Sequence, residues 1–239
     1  MGQDIKKLRF VLGSRLGSSI HYTMKIIRNT GVRKVVKDKG TKIHILMLLL
    51  VISVFIWSVI RPAGYLIWTM EVLPAVVGLI IVIATYNKFR LTTLSYIIIS
   101  ILSITMFIGG HYTYSKVPLF NWIKDYFDLN RNHYDRLGHF LKGLFAIVIR
   151  EILIRKTPLI KGPWLVAVTV SFSLAIGALY EIIEWLASII SKGKKASTEF
   201  LGTQGDIWDA QWDMSLTLVG SIFALIIFSK LHNKLLGKI

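Results

Sequence analysis

Six stretches of mostly apolar residues, each about as long as a membrane is thick, run through this chain, and they constrain its fold more than any other feature. Crossing a hydrocarbon core of about 30 Å takes about 20 residues of α-helix. The runs are Ile43–Ile60, Ala63–Thr85, Leu91–Gly110, Arg136–Ile154, Trp164–Ile190 and Asp206–Ser229. Buried helices of a soluble protein can also be apolar all round, but six of them within 239 residues leave too little polar chain to cover them. The expected fold is therefore all-α: a polytopic membrane helix bundle of about six transmembrane helices, preceded by a basic amphipathic segment. Arg61-Pro62 reads as a tight turn between the first two spans, and Lys161-Gly162-Pro163 as the start of the fifth. No internal repeat supports an inverted-repeat transporter.

Composition agrees. The chain is 54% hydrophobic and yet carries 29 Lys and Arg against 13 Asp and Glu, a formal +16. Disordered chains are poor in aliphatic and aromatic residues, so disorder is excluded. The absence of cysteine excludes a disulfide scaffold, a thiolate metal site and a cysteine nucleophile. The charges are segregated along the chain. With the N-terminus inside, 20 Lys and Arg fall on the cytoplasmic side and 8 outside, with Lys142 inside a span. The positive-inside rule then puts both termini in the cytoplasm. The first apolar run begins too late for a cleavable signal.

Residues 1–42 hold 11 basic residues, and Leu12, Leu16, Ile20, Met24 and Ile27 recur at helical spacing among Arg15, Lys25 and Arg28. Such a helix can lie on anionic inner-leaflet lipids, or serve only as a topology anchor. Without an aromatic platform, nucleic acid is not an expected partner. The expected organisation is thus residues 1–42 as this segment, 43–230 as the membrane domain and 231–239 as a cytoplasmic tail.

Ionisable residues inside spans cost roughly 2.5–3.5 kcal/mol each on insertion scales, so each needs a partner, a cavity or a function. Here they converge. The third span ends at His111-Tyr112. The fourth begins at Tyr134-Asp135-Arg136 and continues to His139. The fifth carries Tyr180-Glu181 and Glu184 near its end, and the sixth begins with Asp206, Asp209 and Asp213. With the topology above, all these groups approach the extracytoplasmic side, and Glu71 of the second span lies somewhat deeper. Asp135 and His139 share a helical face at i, i+4, and the three aspartates at i, i+3, i+7 form a stripe.

Carboxylates this close cannot all ionise without a compensating cation. Arg136, Lys142, protons or a divalent metal could provide it. His111, Asp135, His139, Asp206, Asp209 and Asp213 are the candidate ligands. Oxygen donors suit Mg²⁺, Ca²⁺ or Mn²⁺, and added imidazole admits Zn²⁺ or Fe. Glu181, Glu184, Asp209 and His139 are the candidate acid–base residues, with Arg136, Tyr112 and Tyr180 as substrate contacts. Three readings stay open. One is an enzyme or binder acting on a lipid-linked or envelope substrate. Another is a cation- or proton-coupled carrier with Glu71 as the deeper station. The third is a structural or envelope-stress protein whose polar network only ties helix ends together.

The segments GGHYTYSKVPLFNWIKDYFDLNRNHYDRLGHFLKG, GALYEIIEWLAS and FLGTQGDIWDAQWDM, in this order, resemble the YjdF-like family of bacterial inner-membrane proteins. The likeness covers the second to sixth spans, and it implies a multi-pass protein of the bacterial inner membrane without implying a reaction. More distantly, Asp135, His139 and Phe140, followed by Glu181 and Glu184 and then Asp206 or Asp209, are similar to the VanZ-like membrane proteins, which are associated with glycopeptide-antibiotic resistance. The spacing of the second aspartate differs from that pattern.

Overall fold

The computed structural model describes residues 40–190 and 202–238. The expected basic amphipathic helix within residues 1–42 lies almost wholly outside the described residues. The chain divides into two units, Met1–Leu46 and Met47–Ile239. Of the first, the described residues are the opening of one helix.

Every regular element among the described residues is helical. Helices α1 (Gly40–Val59), α2 (Tyr65–Thr85), α3 (Thr93–Tyr112), α7 (Pro163–Ile190) and α8 (Asp209–Leu236) are the 5 that are long and apolar enough to cross a membrane. Between α3 and α7 lie a short α4 (Pro118–Tyr126) and the pair α5 (Tyr134–Leu144) and α6 (Ala146–Lys156). The fourth apolar run thus forms two helices, and the reason is local. Phe145 keeps helical dihedrals, but its N–H reaches back to the Lys142 carbonyl at 3.0 Å, a tighter i→i−3 turn. End to end, Tyr134–Lys156 reaches about 34 Å at 1.5 Å per residue, enough to span.

The turns follow from the residues in them. Arg61 has φ 54 before Pro62, and the Ala63 N–H then donates to the His111 carbonyl at 2.8 Å, tying this turn to the end of α3. Thr92 caps α3 by accepting from the Ser95 N–H. Pro118 opens α4, where its missing N–H costs nothing. The stripe expected at the sixth span is altered: α8 begins at Asp209, and Asp206 precedes it, accepting the Trp208 N–H at 2.9 Å in an Asx turn. At its other end α8 runs on to Leu236 and buries His232.

The polarity of the bundle is that of a membrane protein. Ile80, Ile81, Phe172, Ile176, Ile226 and many similar side chains face outward, while Glu71, His139, Arg150, Glu151, Glu184, Asp213 and His232 are buried. Lipid can cover the first set, and only protein or water can satisfy the second. Small residues let the helix backbones approach. A methyl at Gly143 would strike the Thr217 carbonyl oxygen of α8, and one at Gly220 would strike the Phe140 carbonyl oxygen of α5. Gly177 packs on Thr217. Gly205 has open space around it and φ +91, so its role is conformational. Leu144, Ile147, Val148, Ala224 and Leu225 form an apolar layer across the bundle.

Candidate functional site

Among the described residues, ionisable side chains gather at the two ends of the bundle, on either side of that layer. The end reached by the C-termini of α3 and α7 and the N-termini of α2, α5 and α8 holds the residues singled out from the sequence. His139 is at its centre, with no exposed surface. Its Nε2 lies 2.8 Å from Lys142 Nζ, 3.4 Å from Glu181 Oε1 and 3.7 Å from Asp135 Oδ1. Asp135, His139 and Asp213 offer ligand atoms that all lie within 4.8 Å of one another. Glu184 is buried within electrostatic reach of Asp135, Glu181, Lys142 and Glu71. The Lys142 ammonium also sits 3.6 Å from the Tyr180 ring centroid, a cation–π contact.

Two arginines form the rim. Arg131 is buried and pairs with Asp209, reaches Asp206 at 3.7 Å and donates to the Gly202 carbonyl at 3.3 Å. Arg136 pairs with Asp206 at 2.6 Å and lies over the Trp212 ring. Asp206 and Asp209 are therefore neutralised by guanidinium groups in direct contact, whereas Asp135, Glu181 and Asp213 have Lys142 as the cation within electrostatic reach, joined at Asp135 by Arg131 and Arg136. The Gln204 side chain clamps Asn132, accepting its N–H and donating to its carbonyl, both at 2.9 Å. This holds the chain around Gly202 over the cluster, with φ +63 and so little room that a methyl there would stand 2.9 Å from Asp135 Oδ2.

Two expected members are not brought in. His111 packs on Trp57 with ring centroids 4.2 Å apart, and its Nδ1 lies 3.1 Å from the Ser58 carbonyl. Tyr112 sits against the same Trp57. The helical phase explains it: Gly109 of α3 receives Tyr114 and Gly110 faces Val72 and Glu71 of α2, so His111 turns toward α1. Conversely, Arg131, Asn132, Gln204 and Tyr114 escaped the sequence reading. Arg131 looked like one loop charge among several. Tyr114 is buried between α3 and α5, its ring against Gly109 and Gly138, and burial, reinforced by the Glu71 charge, holds its hydroxyl well above the ordinary tyrosine pKa. The pKa of nearby His133 is lowered, first by burial and then by Arg136 and Arg131.

At the opposite end a second cluster surrounds Glu151. Its carboxylate accepts from the Thr92 N–H and hydroxyl, the Ser95 hydroxyl and Arg155, with His232 Nε2 at 3.3 Å. Arg150 reaches His232 Nδ1 and Asn233 Oδ1, each at 2.8 Å. This network is satisfied and joins α3, α6 and α8. The first cluster is not. Asp213 Oδ1, Glu181 Oε1 and the Tyr114 and Tyr180 hydroxyls are buried with no hydrogen-bond partner among the described residues.

Fold and site together define a multi-pass α-helical membrane protein with an unsatisfied acid–histidine–lysine cluster buried at one end of its bundle. The chain belongs to the family described as "Predicted membrane protein (DUF2238)", whose profile matches residues 43–234 and so takes in both clusters. It is 40% identical over 187 residues to the inner membrane protein YjdF of Escherichia coli (strain K12), a match spanning 77% of this chain and 88% of that protein. No solved structure matches it. The YjdF-like resemblance read from the polar motifs is borne out, and the bacterial inner membrane is the supported location.

Proposed function

We propose that this protein binds and processes a lipid-linked or other amphiphilic envelope substrate at the extracytoplasmic face, with the cluster around His139 as its reacting centre. The observation that carries this reading is the unsatisfied state of the cluster. Four buried acids, Glu71, Asp135, Glu184 and Asp213, and the partly buried Glu181 face a single ammonium among the described residues, with Arg131 and Arg136 adding positive charge only at Asp135. An unpartnered buried polar group costs about 1–3 kcal/mol. Several retained in one place favour a site shaped for a ligand over one shaped for packing.

In this reading Glu181, Glu184 and His139 hold or move protons, and Lys142 with Arg136 meets an anionic head group. Asp209 is tied up by Arg131 and acts through that pair, holding the rim in place. A partly open cavity of about 40 Å³ beside the cluster has Lys142 and Tyr180 at its polar end and Phe145, Ile149 and Ile176 along its wall. It joins charged groups to an apolar surface, as an amphiphile requires. The apolar layer below supports a ligand that enters and leaves on one side, and it weighs against a carrier. The orientation rests on the excess of basic residues in the loops at the other end.

The test is the bound-lipid profile of full-length protein in nanodiscs formed from native membrane, measured by mass spectrometry. One lipid class should be enriched in wild type and lost in Glu181→Gln and Asp213→Asn, with the bundle still folded by circular dichroism. Identical profiles in folded wild type and variants would refute the reading.

A further inference from the structure

We propose that Asp135, His139 and Asp213, with Glu181 as a fourth donor, bind one divalent transition-metal ion, and that the Lys142 ammonium is the cation this ion displaces. The inference rests on the reading of the cluster as a ligand site and names what that site holds.

Donors at about 2.1 Å from a tetrahedral ion lie about 3.4 Å from one another. His139 Nε2 is 3.4 Å from Glu181 Oε1 and 3.7 Å from Asp135 Oδ1, close to that ligand–ligand edge. Asp213 completes a group within 4.8 Å, which side-chain rotation can close. Independently of the acids' number, Asp213 is 2% exposed and its Oδ1 has no hydrogen-bond partner among the described residues, as is true of Glu181 Oε1. These lone pairs are kept dry: Asp213 belongs to the group of three donors, and Glu181 meets that group through its approach to His139 Nε2.

The imidazole is already in the state that a metal needs. An ammonium has donors and no lone pair, so across the 2.8 Å contact with Lys142 the His139 Nε2 must accept. That lone pair is the one a metal would take. Lys142 has an alternative seat, because its Nζ already lies over the Tyr180 ring. The donor set of one imidazole and three carboxylates is mixed: the imidazole favours Zn²⁺, and Mn²⁺ among the ions that take oxygen donors, over the harder Mg²⁺ and Ca²⁺. Asp206 and Asp209, engaged by Arg131 and Arg136, are left out of the ligand set.

The experiment uses the full chain, stripped with chelator and titrated with Zn²⁺ or Mn²⁺ alone, with Mg²⁺ for comparison. Affinity is read by competition with a fluorescent chelator and stoichiometry by elemental analysis. One ion per chain is expected, with Zn²⁺ and Mn²⁺ preferred to Mg²⁺. Asp213→Asn and Glu181→Gln should each weaken binding at least about tenfold. Lys142→Met, which removes the competing cation, should tighten it by a similar factor. A misfolded variant cannot produce that gain, so it keeps the test decisive if an acid variant fails to fold. Wild type without bound metal, or Lys142→Met binding no more tightly, would overturn the proposal. A lipid profile altered in Asp213→Asn while wild type binds no metal would sink the metal site and leave the ligand reading standing. Metal bound with an unchanged lipid profile would do the reverse.

Discussion

Replacing Gly143 by alanine tests whether the contact between α5 and α8 is what assembles the site. The added methyl would lie against the Thr217 carbonyl oxygen and 2.7 Å from Gly220 Cα, where ordinary contact is 3.4–4 Å. The obstructing atoms are backbone, so no side chain can rotate away. The helices must part by about 1 Å, and overpacking of this kind costs typically about 1–3 kcal/mol. Two backbones in contact favour the upper half of that range, a fall in melting temperature of roughly 4–12 °C for a chain of this size. Because α5 carries Asp135 and His139 while α8 carries Asp213, the same separation widens the cluster. The assay is thermal unfolding of the purified protein in one detergent, followed by circular dichroism. Gly78→Ala is the control, since nothing lies within 4 Å of the added methyl. There alanine should be neutral or stabilising by about 0.5–1 kcal/mol. Gly143→Ala melting with wild type would show that the helix contact is loose, and the geometry built on it would fall. Gly143→Ala combined with Gly220→Ala should cost less than the sum of the two, because both relieve one crossing.

Other outcomes follow from the two clusters. Arg131→Ala leaves Asp209 buried without its partner and should cost about 3–5 kcal/mol in the same assay. Lys124→Ala, which breaks a pair whose side chains are 37% and 73% exposed, should cost at most about 1 kcal/mol. Glu151→Ala strands the Thr92, Ser95 and His232 donors and should destabilise by several kcal/mol while leaving the bound-lipid profile of the folded fraction unchanged. An altered profile would mean that the two ends communicate. The chain has no native cysteine, so single substitutions report topology directly. Asp125→Cys should label from outside the cell and Lys238→Cys only after permeabilisation, and the opposite pattern would invert the orientation.

What could be read beforehand was what depends on local spacing. The apolar runs announced the helices, and Asp135 with His139 at i, i+4 announced a shared face. The order of motifs announced that acids from several helices meet at one end. What stayed hidden depends on which surface meets which. Arg131 and Asp209 are 78 positions apart, and nothing local marks them as partners. His111 stands at the right depth but at the wrong angle about α3. Asp206 has the spacing of a helical stripe, yet it spends its carboxylate on the turn before α8. The pairing of Glu151 with His232, 81 positions away, was hidden in the same way, because their burial arises only when α6 and α8 pack.

The apolar layer of Leu144, Ile147, Val148, Ala224 and Leu225 has an electrical consequence. Of the buried hydroxyls near it, Thr169 is turned onto the Leu165 carbonyl and Ser221 onto the Leu218 carbonyl, and Ser173 alone of the three has no hydrogen-bond partner among the described residues. Such a stretch acts as an insulator, and most of the transmembrane voltage falls across it. A charge that traverses the whole field gains about 2.3 kcal/mol per 100 mV, but one that settles in the His139 cluster crosses little of it. Occupancy of the site should therefore follow the ion content and acidity of the fluid on its own side, and stay nearly indifferent to whether the cell is energised.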